Sequence, residues 1–186
     1  HQFKPSKNFW RGFDQWTFLR GQEQDPSRSG PRLTDEQLAY WLPREMWTEA
    51  NIRFIQTSIM NIHDRRHEED YFSPQVFKTA AQWLEENQDA SQFFLTVESF
   101  DPHEPWLVPA HYRKLYSKEE GQEQVKSGYA DCTQLGAKML ARTRANYMGS
   151  VTQSDRWFGY FFESMRVLGL LDNTIVFFTS DHGHSI

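Results

Sequence analysis

Two short stretches of this 186-residue chain carry side chains that could do chemistry. The first is Ser180-Asp-His-Gly183. It closes the run Asn173-Thr-Ile-Val-Phe-Phe178, whose β-branched and aromatic composition predicts a strand buried on both faces of a parallel sheet. Ligands of open α/β sheets bind outside the carboxyl ends of the strands. A carboxylate beside an imidazole at such an end, with a glycine that frees the backbone to turn, suits a divalent cation or an anion held by one. The same four residues serve equally as a polar strand end closed by an Asp-initiated turn. The second stretch breaks that tie. Ser91-Gln-Phe-Phe-Leu-Thr-Val-Glu-Ser-Phe100 is also strand-like and exits into Asp101-Pro-His-Glu-Pro-Trp106. Prolines fix their own φ and keep the residue before them extended, so His103 is held stiffly at a strand exit. Two strand ends that each deliver a histidine to one sheet edge predict a single site.

These elements need a frame to position them, and the rest of the chain predicts an α/β one. Thr34-Asp-Glu-Gln37 has the form of a capping box that opens a short helix ended by Pro43. The stretch from Ile52 to Ile62 fits more than one element. Asn61 to Asp70 is rich in charge and reads as a solvated loop, with His63 and His67 read as surface residues rather than ligands. Ser73-Pro74 is the N-cap and first position of a helix whose apolar face is Val76, Phe77, Ala80, Ala81, Trp83 and Leu84. A strand at 92–99 follows. Residues 1–31 read mostly as loop, and 107–136 as a long connection or flap near the site. A helix from about Ala137 to Leu168 carries the stripe Met148, Val151, Phe158, Phe162 and Met165. Asp155 falls on that stripe and is expected to be buried with a partner, and Gly159 to admit a close neighbour. Gly169 is expected to end the helix.

The residues at the two strand exits, taken together, resemble the sulfatase family within the alkaline phosphatase-like superfamily. The resemblance rests on Phe100-Asp-Pro-His-Glu-Pro-Trp106 followed by Asn173 to Gly183. Between them, Asn146 to Gly159 and Leu168 to Asn173 are similar to the long helix and loop that precede the family's metal-binding strand. Phe9-Trp-Arg-Gly-Phe-Asp14 is similar to a segment after the family's first histidine motif. The resemblance implies an α/β fold, with part of a mainly parallel sheet flanked by helices. It implies a sulfuric ester hydrolase acting on a small-molecule or glycan sulfate ester with a covalent nucleophile and a divalent metal, Ca²⁺ first, with Mg²⁺ or Mn²⁺ as alternatives. By residue-to-residue match, Asp181 and His182 are the metal ligands. His103 is the catalytic and substrate-binding histidine, and His1 matches a second substrate-binding histidine. His184 is read as a neighbour of the site.

The sequence also departs from the family pattern. It contains no Cys- or Ser-x-Pro-x-Arg nucleophile motif and no aspartate pair, and its one cysteine, Cys132, lies in Asp131-Cys-Thr-Gln134. Residues 1–186 are therefore expected to be an internal fragment of the catalytic domain, inactive alone. Asp-His, where many sulfatases have Asp-Asn, is shared with metal-dependent phosphodiesterases and phosphonate monoester hydrolases, which stand as the alternative. A non-catalytic binding relative is the third reading.

Composition sets outer limits. Aromatic residues make up 16% of the chain, too many for a disordered one. A net charge of −5, with no cluster of Lys or Arg, speaks against a nucleic-acid partner. No apolar run reaches the roughly 20 residues that span a membrane. A single cysteine excludes an internal disulfide and leaves the compartment open.

Overall fold

The computed structural model describes residues 5–22, 24–119 and 136–184. Thr34 opens α1 (Asp35–Trp41) as its sequence requires. Its hydroxyl accepts from the Gln37 N–H while the Gln37 side chain accepts from the Thr34 N–H. Thr48 caps α2 (Glu49–Ile62) through the Asn51 N–H, so the ambiguous stretch is helical. α1 and α2 bury Leu38, Leu42, Phe54 and Ile55 against each other as one small core.

The main core lies between α3 (Phe72–Glu86) and α5 (Ala137–Val167). α3 starts two residues earlier than Ser73-Pro74 predicts, with Tyr71 at its N-cap. Its buried face is the expected one: Val76, Phe77, Ala80, Ala81 and Leu84. Phe77, Ala80, Ala81 and Leu84 meet Phe161 and Met165 of α5. Full burial of a Leu, Phe or Met side chain in this set stabilises by about 1.5–3 kcal/mol. Gly169 ends α5 with φ +70, the left-handed conformation that glycine takes without a Cβ penalty.

α5 turns a different face inward from the one its large residues predict. Met148, Val151 and Phe162 are exposed, and only Met165 of that stripe is fully buried. The buried positions are instead Thr143, Ala145, Asn146, Gly149, Ser150, Gln153, Phe161 and Met165. Small side chains let α4 (Ala110–Lys114) come close: a Cβ on Gly149 would sit 3.1 Å from the Arg113 nitrogen. Close approach thus occurs at Gly149, whereas a Cβ on Gly159 would meet nothing within 4 Å. Asp155 is exposed, so the buried, paired aspartate expected there is not found.

The charge-rich segment after α2 is only partly solvated. His63 and His67 are exposed, as read. Glu68, however, is a hub behind α4 and α5. Its Oε1 accepts from the Tyr112 hydroxyl at 2.6 Å and from the Trp157 Nε1–H at 2.7 Å, and Arg156 stands 3.8 Å from its Oε2. Burial and the bond to Glu68 push the Tyr112 phenol up to about 12. The part of the expected flap within the described residues holds α4; residues 120–135 lie outside them.

The parallel sheet is not seen. Among the described residues the strand pairing is confined to an isolated bridge between Arg11 and Phe13. Among the described residues, 93–100 and 174–180 join no β-ladder. The first still shows the two-residue alternation of a strand. Phe93, Leu95 and Val97 pack on the α3–α5 core, whereas Phe94 is 80% exposed. In the second, the Phe178 ring packs at a tilt against Phe158 of α5 with centroids 4.5 Å apart, while Ile175 and Phe177 stand in solvent. Extended backbone becomes sheet only when a neighbouring strand takes its N–H and C=O groups. No described helix is long and apolar enough to cross a membrane.

Candidate functional site

The turn after residues 93–100 is built from below. Asp101 reaches back to α3, where its Oδ2 accepts the Ser73 N–H at 2.9 Å. That N–H is one of the unpaired donors at a helix start, where a carboxylate is favoured. Removal from water pushes the Asp101 carboxyl pKa up, and Arg65 and the Ser73 N–H oppose that push. Arg65 lies over the rings of Tyr71 and Phe72, at 4.4 and 4.2 Å from their centroids. Its burial lowers the guanidinium to about 10.

The turn itself is closed by three further contacts. His103 N–H donates to the Phe100 carbonyl at 3.0 Å. The Trp106 indole, 2% exposed, donates to the Pro102 carbonyl at 2.8 Å. The His103 ring stacks on Phe100 with centroids 4.4 Å apart. The peptide bonds before Pro102 and Pro105 are both cis. His103 Nδ1 lies 2.9 Å from the Glu104 carbonyl oxygen. A carbonyl can only accept, so Nδ1 carries the hydrogen and Nε2 is left to meet other groups.

The other end is looser. Asp181 and His182 side chains are 88% and 59% exposed. Asp181 Oδ1 accepts the His182 N–H at 2.9 Å, and Ser180 Oγ donates to the His182 carbonyl at 2.6 Å. His182 Nδ1 lies 3.1 Å from the Gly183 carbonyl. This again puts the hydrogen on Nδ1 and leaves the Nε2 lone pair free, the state of a metal-ligating imidazole. Asp181 Oδ2 and His182 Nε2 lie 3.7 Å apart on open side chains. One oxygen and one nitrogen so placed fit a single divalent cation as part of its ligand set.

The residue that joins the two ends is His184. Its ring lies 5.3 Å from that of His103 and 5.9 Å from that of His182, centroid to centroid. Trp106 and Tyr147 of α5 wall it at 5.6 and 5.8 Å. Burial among these rings lowers its pKa and favours the neutral form. Glu104 sits between the histidines, its Oε2 3.1 Å from His103 Nδ1 and 3.5 Å from His184 Nε2. Sequence reasoning missed Glu104, Arg65 and Tyr147 and left His184 at the margin. Glu104 occupies the variable position between His103 and Pro105, which is the one signal that pointed to it. His1 lies outside the described residues.

Residues 4–186 match the sulfatase family model. The chain is 30% identical over 122 residues to an arylsulfatase of Clostridium perfringens, covering 58% of this chain and 25% of that protein. It is 25% identical over 127 residues to the multifunctional alkaline phosphatase superfamily protein PehA of Trinickia caryophylli, covering 53% and 25%. It is 36% identical over 101 residues to an endo-4-O-sulfatase of Bacteroides thetaiotaomicron, covering 50% and 18%. The matched region thus spans about a quarter or less of these relatives. No solved structure matches.

Proposed function

The chain belongs to the sulfatase family, in the alkaline phosphatase-like superfamily, and on that premise we propose that the intact protein hydrolyses sulfuric esters. The observation that carries this reading is the His103 turn. A histidine of the family's Asp-Pro-His-x-Pro motif is braced by α3, Trp106 and Phe100, with Nε2 unengaged by the carbonyl that holds Nδ1.

In this reading His103 contacts the sulfate group and, when protonated at Nε2, donates to the ester oxygen that leaves. The Glu104 carbonyl fixes the ring's orientation, so the donor is already aimed when substrate arrives. Asp181 and His182 hold a divalent cation, Ca²⁺ first and Mg²⁺ or Mn²⁺ as alternatives. Such an ion, when bound, draws charge from the ester oxygens. Its remaining ligands and the covalent nucleophile come from elsewhere in the longer protein. His1 is the further candidate for the sulfate contact.

The same premise makes 93–100 and 174–180 two strands of the superfamily's mainly parallel sheet. The alternating burial of Phe93, Leu95 and Val97 supports this for the first. The exposed Ile175 and Phe177 support it for the second, since a strand covered on both faces carries such residues.

A second reading has one specific observation behind it. His182 stands where many sulfatases have Asn, and the multifunctional PehA is among the similar proteins. That favours phosphodiester or phosphonate monoester hydrolysis. The test is kcat/KM of the intact protein on an aryl sulfate, an aryl phosphodiester and an aryl phosphonate monoester, each with Ca²⁺, Mg²⁺ or Mn²⁺. The expected result is the highest value on the sulfate. A higher value on either phosphorus ester overturns the sulfatase reading in favour of the second. No turnover on any of them leaves a binding relative.

A further inference from the structure

The side chains of Glu104 and His184 have no part in the reaction as drawn, yet each carries an unsatisfied polar atom. Glu104 Oε2 and His184 Nε2 are both buried and without a hydrogen-bond partner. Their side chains are only 14% and 21% exposed. Buried polar atoms are normally paired, and each orphan calls for an explanation.

One nitrogen from each of His103 and His184 and one oxygen of Glu104 all lie within 4.8 Å of one another. Four-coordinate zinc has bonds of about 2.0–2.1 Å, which places neighbouring ligand atoms about 3.3 Å apart. The two edges that meet at Glu104 Oε2 measure 3.1 and 3.5 Å. Two imidazoles with one carboxylate form a donor set for zinc-class ions, whereas calcium takes six or more oxygens. Trp106 and Tyr147 shield the cluster on one side, which strengthens attraction between a cation and the carboxylate.

From this geometry we infer that His103, Glu104 and His184 form a second cation site, selective for Zn²⁺-class ions and inhibitory when filled. It is separate from the Asp181–His182 pair. A cation on His103 Nδ1 displaces the hydrogen now facing the Glu104 carbonyl, so the ring takes its other neutral tautomer. A ligating ring does not take the second proton that a donor to the leaving oxygen needs. The binding stands by itself; the inhibition rests on the role proposed above for His103.

The test uses the intact protein loaded with Ca²⁺ and titrated with Co²⁺, whose visible absorption reports four-coordinate binding, with Zn²⁺ as competitor. The expected result is a site whose affinity falls roughly 100-fold in His184→Ala and in Glu104→Gln, with one of three protein ligands lost or weakened. Asp181→Ala should leave that site in place. Zn²⁺ should inhibit the unmodified protein, while His184→Ala, measured against its own turnover without Zn²⁺, should need a far higher Zn²⁺ concentration for the same fractional loss. Unchanged Co²⁺ affinity in both variants would overturn the site. So would loss in Asp181→Ala with retention in His184→Ala, which places the ion on the other pair. Zn²⁺ binding as expected without inhibition of an active enzyme would overturn the role given to His103 and leave the site standing.

Discussion

His103 is held by groups from three directions: the α3 N-terminus through Asp101, the Trp106 indole, and the Phe100 ring. Asp181 and His182, by contrast, make their described hydrogen bonds to residues within two positions of themselves. The two ends carry similar chemistry on opposite kinds of support. The difference follows from what lies beneath each. The His103 turn follows a segment whose Phe93, Leu95 and Val97 pack on the α3–α5 core. The Asp181 end continues an extended segment whose Ile175 and Phe177 remain 82% and 89% exposed. One half of the candidate site is therefore braced from several elements, and the other by bonds within its own few residues.

The sharpest way to break this contrast is to remove each end in the intact protein. Asp181→Ala should lose the cation and about 1,000-fold or more in kcat/KM. His103→Ala should keep the cation and lose about 100- to 1,000-fold in kcat. Metal analysis beside steady-state kinetics separates the two, and loss of metal in His103→Ala would show that the ends are one unit. Next in size are two aromatic deletions followed by urea unfolding. Trp106→Ala should cost about 3–5 kcal/mol, as for a filled core position. Phe177→Ala should cost a similar amount if 174–180 is covered on both faces in the intact protein. A cost within about 0.5 kcal/mol, the range of exposed surface changes, would sink the strand assignment.

Smaller effects sharpen the supported side. Glu68→Gln weakens the acceptor shared by Tyr112 and Trp157, and should destabilise by about 1–3 kcal/mol with little change in KM. A large change in KM would show that the hub reaches the substrate. Thr34→Ala removes the α1 cap, far from either end, and should cost about 1 kcal/mol without touching kcat. A drop in kcat there would mean that the small α1–α2 core is coupled to the site.

Much of the helical layer was legible because local rules determine it. Thr34 and Gln37 form their cap wherever the chain goes, and Gly169 ends α5 because glycine alone takes φ +70 cheaply. The inward face of α5 was not legible in the same way. Its largest apolar residues suggested one stripe, but the small residues around Gly149 set the contact, since packing distance to α4 outweighed side-chain size. The Asn61–Asp70 run looked solvated because its partners, Tyr112 and Trp157, lie more than 40 positions away. His103, Asp181 and His182 could be chosen from motifs alone. The Glu104–His184 contact could not, because it joins residues that nothing local relates.

The support of the His103 turn also has a direction in time. Every group named as bracing it, from Arg65 through Ser73 to Trp106, precedes or closely follows His103 in the chain. As the polypeptide leaves the ribosome, that half of the site has its partners at hand while α5 is still unmade, and short loops close at lower entropic cost than long ones. His184 arrives about 80 residues later and meets Glu104 already in place. The contact between them is thus a checkpoint of later assembly: a chain that has made it has brought the His103 turn and the segment around His182 together.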